Sequence, residues 1–235
     1  MKNKNIYDTD TFRGTDILIG IFFFFALVGL GLAIAVNFRP LYYACIDWFN
    51  IEENSGLPRE EIIKNYDALI DYCCPFHFGE LIFPTLKSSV SGLSHFAECK
   101  VLFNIFYVLG FFSAIFVIMG FVSRIREGEI RFYKVCSIVS LGIPTFLVIF
   151  CIIDFDRLFI LFHKIAFDND DWMFDSATDP VIKILPEEFF MLCLIVIAGT
   201  VIIGSCIVMG IYLYKKRKKK LAGGMLPKPQ NIIYQ

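Results

Sequence analysis

Four stretches of the chain run without a charge and stay almost wholly apolar: residues 17–36, 101–123, 135–153 and 189–214. A helix that spans a membrane needs about 20 such residues, because the hydrocarbon core is about 30 Å thick. Each stretch therefore predicts a spanning helix. Pro144 falls inside the third and predicts a local bend, which membrane helices tolerate. The first stretch exceeds the apolar core of a secretory signal and lacks a small-residue cleavage site, so it reads as a retained span. Between the spans lie two long segments, 37–100 and 154–188, and one short one, 124–134. In the first long segment Ile62, Tyr66, Leu69 and Ile70 recur at helical spacing with charges between them, which predicts an amphipathic helix. Structureless loops of this length are uncommon, and the aromatic content here is too high for disorder. The two long segments are expected to pack together as a small cap.

Composition agrees with this pattern. Of 235 residues 57% are hydrophobic and 19% charged, and Phe occurs 27 times. Mean hydropathy is +0.63. Soluble domains run at about 45–50% apolar and 25% charged, so a soluble globule, a disordered chain and a nucleic-acid binder are excluded. The expected class is an all-α integral membrane protein with four transmembrane helices and an extracytoplasmic cap.

Net charge is −1, but its distribution is uneven. Residues 1–16, 124–134 and 215–235 hold 14 of the 22 basic residues and 5 of the 23 acidic ones. By the positive-inside rule these three segments are cytoplasmic and the two long ones face outward. The basic run at 215–220, following the fourth span directly, reads as a stop-transfer anchor rather than a nucleic-acid patch.

All three histidines, His77, His95 and His163, fall in the outward segments. Histidine titrates near neutral pH and serves as general acid or base. His95 precedes the second span. Ser94 reads there as a helix N-cap, the helix N-terminus favours neutral imidazole, and Glu98 at i+3 shares the face of His95. His163 lies in an aromatic segment expected along the membrane interface, with Trp172 as an interfacial anchor. His163 and Asp168 also match H-x4-D, an acyltransferase pattern of low specificity that would face away from acyl-CoA. No zinc-type His/Cys spacing, calcium loop, nucleophile elbow or glycine-rich phosphate loop occurs. Cys45, Cys73, Cys74 and Cys99 lie outward, where disulfides form. Cys136, Cys151, Cys193 and Cys206 lie in the spans as packing residues. The charge-free spans disfavour ion transport. Two function classes remain on the residues alone: an outward-facing lipid enzyme (hydrolase or acyltransferase), or a non-catalytic four-span interaction protein.

Three stretches resemble the bacterial lipoprotein intramolecular transacylase (Lit) family. They are Tyr66-Asp-Ala-Leu-Ile-Asp-Tyr72, then His95-Phe-Ala-Glu-Cys-Lys-Val-Leu-Phe103, and Phe162-His-Lys-Ile-Ala-Phe-Asp-Asn-Asp-Asp-Trp172 continuing through Asp179-Pro180 to Phe190. The chain departs from the family pattern at Glu98, Cys99 and Ala166, where the family has Asp, an aliphatic residue and an aromatic one. The resemblance implies transfer of the sn-2 acyl chain of an S-diacylglyceryl lipoprotein to the α-amino group of its N-terminal cysteine. It implies His95 and His163 as the catalytic pair, with Glu98, Lys100, Asn169, Asp170 and Trp172 binding or orienting the substrate. It also implies no metal or other cofactor and no nucleotide or nucleic acid. The partners are a diacylated lipoprotein in the outer leaflet and membrane lipid, and the setting is the bacterial cytoplasmic membrane with both termini inside.

Overall fold

The computed structural model describes residues 13–224; Lys2, Lys4, Asp8, Asp10 and Lys228, which bear on the charge count, lie outside them. Every regular element among the described residues is helical. In chain order they are α1 Gly14–Asn37, α2 Arg39–Trp48, α3 Ile51–Ser55, α4 Arg59–Cys73, α5 Val90–Arg126, α6 Arg131–Ile153, α7 Phe155–Ala166, a 3-10 turn Pro180–Lys183, and α8 Glu187–Gly224. Four of these helices, α1, α5, α6 and α8, are long and apolar enough to cross a membrane. α6 runs unbroken through Pro144.

α1 is the centre of the bundle, packed against α5, α6 and α8, and α6 packs on α8. Its closest approach is to α5, where a Cβ added to Gly29 would lie 2.8 Å from the Gly110 Cα. Only glycine on both helices lets the two backbones touch. Between α6 and α8, Ser140 Oγ meets Ser205 Oγ at 2.6 Å, and Ser137 Oγ donates to the Ser205 carbonyl at 2.8 Å.

The bundle has two differently built ends. At the α5–α6 end the Arg124 guanidinium lies 2.8 Å from Asp16, with both side chains more than nine-tenths buried. Around this pair, Phe132, Tyr133, Cys136, Ile19, Phe23, Val117 and Val208 form a core cluster. At the other end the residues between α1 and α5 and those between α6 and α8 pack into a single cluster. Tyr42 stacks on Tyr66 at 3.5 Å, with Phe189 edge-on to both. The Tyr42 hydroxyl donates to the Ile184 carbonyl at 2.5 Å. Ile62, Tyr66, Leu69 and Ile70 line the buried face of α4, and Arg59 and Arg39 tie α4 to α2 by ion pairs with Asp47, Asp67 and Asp71. Buried Asn65 holds the chain after α4, accepting from the main-chain N–H groups of Thr85 and Leu86.

Cysteine placement differs in part from expectation. Cys136 and Cys151 are buried as packing residues, whereas Cys206 is exposed on the bundle surface, and all eight thiols are free.

Candidate active site

α5 has 37 residues, about 55 Å at 1.5 Å per residue, far more than a hydrocarbon core takes. Its charge-free part begins at Val101, so residues 90–100 project beyond that part. The helix begins one and a half turns earlier than the sequence pattern indicates. Ser89, not Ser94, is its N-cap, with the hydroxyl accepting from Gly92 N at 3.0 Å. Ser94 lies inside the helix and is exposed. A hydroxyl at 94 gains nothing there, because the orphan N–H groups belong to the first turn.

Asp179 clasps this helix start from the chain ahead of α8. Its Oδ1 accepts from Ser89 N at 2.7 Å and its Oδ2 from the Thr178 hydroxyl at 2.7 Å. Burial works to raise the Asp179 carboxyl, but these hydrogen bonds outweigh it and hold the group below its usual range. The carboxylate stands so close that a Cβ at Gly92 would clash with Oδ1.

One turn on, His95 is buried and faces His163 of α7, with ring centroids 5.8 Å apart. α7 starts at Asp154, whose side chain accepts from Arg157 N. It buries His163 while leaving Ile160, Leu161 and Ile165 exposed, the arrangement of a helix lying against lipid. Phe167 lies 4.8 Å from His95 and 5.6 Å from His163; Phe174 flanks His95 at 5.6 Å, and Trp172 flanks His163 at 4.8 Å. The two imidazoles thus share an aromatic box.

This enclosure sets their protonation. Burial, then the neighbouring His163, pushes His95 down to about 4, against the attraction of Asp171. Burial also lowers His163, opposed by its hydrogen bond to Phe159. Both are neutral at pH 7. Burial rather than a helix terminus is the cause at His95, since it sits in the second turn.

The ring nitrogens have distinct partners. His163 Nδ1 lies 2.7 Å from the Phe159 carbonyl, so it carries the proton and donates, leaving Nε2 bare. His95 Nε2 lies 3.3 Å from the Cys99 sulfur, and its buried Nδ1 has no partner. Burial, with Cys73 and Glu98 adding to it, raises the Cys99 thiol far above its ordinary range.

The remaining sequence candidates fall on either side of the pocket. Glu98 does not orient His95; its Oε1 accepts from Asn169 Nδ2 at 2.7 Å, which ties α5 to the turn after α7. Asn169 in turn accepts from Asp171 N at 3.0 Å. Lys100 is engaged away from the His95–His163 pair, donating to the His77 carbonyl at 2.9 Å above the Tyr72 ring. Asp170 is exposed, its carbonyl accepting from Met173. Sequence reasoning did not single out Cys99, Asp171, Phe167, Phe174 or Asp179 for the site. Only Cys99 left a signal, at i+4 from His95.

A family model, that of the lipoprotein intramolecular transacylase Lit, matches residues 17–190. Among solved structures, the membrane-integral transacylase Lit of Bacillus cereus is 33% identical, with a TM-score of 0.83 over 88% of this chain and 98% of its own. Two structures of that enzyme with a histidine replaced, by arginine or by alanine, are each 32% identical over 88% of this chain. They cover 95% and 94% of their own chains, at TM-scores of 0.77 and 0.78. No curated protein matches the chain.

Proposed function

The chain belongs to the family of lipoprotein intramolecular transacylases, and from that premise we propose that His95 and His163 carry its acyl transfer. It is a multi-pass membrane acyltransferase. The substrate in this reading is a lipoprotein whose N-terminal cysteine bears diacylglycerol on sulfur. The sn-2 acyl chain moves to the α-amino group, giving an N-acyl, S-monoacylglyceryl product. Donor and acceptor belong to one molecule, so neither acyl-CoA nor ATP enters. Intramolecular delivery supplies the proximity that a covalent enzyme intermediate would otherwise provide.

The nitrogen partners divide the roles. His163 Nε2, bare because Nδ1 donates to Phe159, takes the proton of the attacking amine. The new C–N bond forms at the ester carbonyl and leaves an oxyanion. His95 supplies the donor. The Cys99 thiol stays protonated, and an imidazole nitrogen accepts better than a sulfur, so S–H donates to Nε2 and the ring proton sits on Nδ1. That unpartnered N–H meets the oxyanion. The C–O bond to glyceryl then breaks, and the proton held by His163 passes to the departing oxygen. Phe167, Phe174 and Trp172 exclude water, which would otherwise hydrolyse the ester. Glu98 and Asn169 act as positioning residues by tying α5 to the turn that carries Trp172.

The observation that carries the reading is the meeting of two neutral imidazoles from separate helices in one aromatic box. The distribution of basic residues supports both termini on the cytoplasmic side. The pocket then opens in the outer leaflet, and the two long segments form an extracytoplasmic cap. Segments 1–16, 37–100, 124–134, 154–188 and 215–235 flank the four spans in this arrangement.

The test is mass spectrometry of a reporter lipoprotein in a bacterium whose lipoproteins otherwise keep a free amine. The expected product is an N-acyl isomer of unchanged total mass. His95→Ala and His163→Ala each lower its formation at least about 100-fold, the lower bound for general acid–base contributions. A free amine persisting beside membrane-inserted protein defeats the transacylase reading. Full activity in either variant defeats the assignment of that histidine.

A further inference from the structure

The segment joining α4 to α5 carries side chains that the transfer chemistry leaves unused. Phe76 is 88% exposed, Phe78 91% and Ile82 77%. Large aromatics exposed side by side mark an interaction surface. Two tethers define the level at which this one sits. Lys100 Nζ donates to the carbonyl of His77, the residue between the two phenylalanines. The Cys74 sulfur lies 3.9 Å from Asn37 Oδ1, and Asn37 Nδ2 in turn reaches the Tyr107 hydroxyl at 3.3 Å. Lys100 is the last charge before the charge-free part of α5, and Asn37 directly follows that of α1. Both tethers therefore lie where two spanning helices leave the hydrocarbon.

We propose that the 74–82 segment is a lipid-contact finger whose Phe76 and Phe78 enter the bilayer at the boundary between headgroups and acyl chains. Its depth favours bilayer lipid over a soluble partner or a second copy of the chain. Phe, like Trp and Leu, buries at the headgroup–acyl boundary when carried on an interfacial segment, and the Lys100 ammonium beside the Tyr72 ring marks the same boundary. The consequence for the site rests on the histidine reading above. His95 lies five residues before Lys100, about 7 Å along α5, on the aqueous side of the finger. The finger thus fixes the depth of the imidazole pocket just above the glyceryl esters of a lipid anchored in the same leaflet.

A photoreactive benzoylphenylalanine is placed at position 76 or 78 of the full chain, reconstituted in phosphatidylglycerol–phosphatidylethanolamine vesicles and irradiated. Phospholipid adducts are expected at both positions, and none at exposed Glu53 of α3 carrying the same group. Absence of phospholipid adducts at 76 and 78, or cross-links only between protein chains, overturns the proposal. A Phe76→Ser/Phe78→Ser double variant is then assayed on lipoprotein substrate. A several-fold rise in KM in vesicles, with kcat unchanged and detergent-micelle activity retained, supports the positioning role. Unchanged KM in vesicles removes that role. Adducts at 76 and 78 beside active His95→Ala protein would leave the finger standing and the histidine reading fallen.

Discussion

The two ends of the bundle bury polar groups in opposite ways. At the α5–α6 end, Arg124 faces Asp16 at 2.8 Å and also reaches Thr15 and Glu127. At the histidine end, His95 Nδ1, Glu98 Oε2 and Trp172 Nε1 are buried without hydrogen-bond partners. Each such atom costs about 1–3 kcal/mol of desolvation. A sequence shaped for stability alone would match or remove them. The first end pairs its buried charges with one another, and the second leaves three polar atoms without a partner inside the fold. One holds a buried ion pair, and the other holds the two imidazoles.

Breaking the ion-paired end has the largest effect on stability. Arg124→Met strands the Asp16 carboxylate, and one member of a buried pair left alone costs about 3–5 kcal/mol. The expected result is a much lower unfolding midpoint, with activity per folded molecule unchanged. An equal loss of specific activity would erase the contrast between the ends. Gly92→Ala is expected to act the other way. Its Cβ displaces Asp179 and shifts the start of α5, lowering kcat about tenfold or more, since misplacement by about 1 Å can cost 100-fold. Asp179→Ala combined with Gly92→Ala relieves the clash and recovers part of that loss, as reporter kinetics will measure.

Both histidines are depressed and neutral through the neutral range, His95 down to about 4. The substrate amine, with a usual value of about 7.7–8.0, therefore governs the rate. Activity is expected to rise about tenfold per unit up to roughly pH 8 and then level, without an inflection near 6.5. An inflection there would mean that a histidine titrates exposed to water. The smallest effect belongs to Cys99→Val, which removes the sulfur 3.3 Å from His95 Nε2, the S–H donor of the proposed mechanism. It frees the ring to exchange tautomers and lowers kcat several-fold, with KM and the unfolding midpoint little changed. Cys99→Ser restores a donor and most of the rate.

The same contrast explains what the sequence disclosed. The four long helices were legible because solvent imposes their pattern: an apolar run of this length has no other stable home than lipid. The buried face of α4 was legible for the same reason. Polar partners at the site were not, because they depend on which segments meet. Ser94 and Ser89 are equally good caps in isolation, and only Asp179, arriving from beyond the third long helix, selects Ser89. Glu98 has helical spacing to His95 but bonds Asn169 from the turn after α7. Residue spacing placed His77, His95 and His163 alike in the two long segments; only the family resemblance paired His95 with His163. The structure sets His77 apart, with its carbonyl held by Lys100 and its ring edge-on to Tyr72.

The Asp179 clasp also bears on how the protein is made. Ser89 and Gly92 leave the ribosome well before Asp179, with the rest of α5, then α6 and α7, synthesised between them. Until that carboxylate arrives, the start of α5 lacks its outer partner. Chains emerge N-terminus first, so a nascent chain halted before the loop ahead of α8 holds His95 without its pocket. The aromatic enclosure of His95 and the capped start of α5 are thus completed late, only after α6 and α7 have been made.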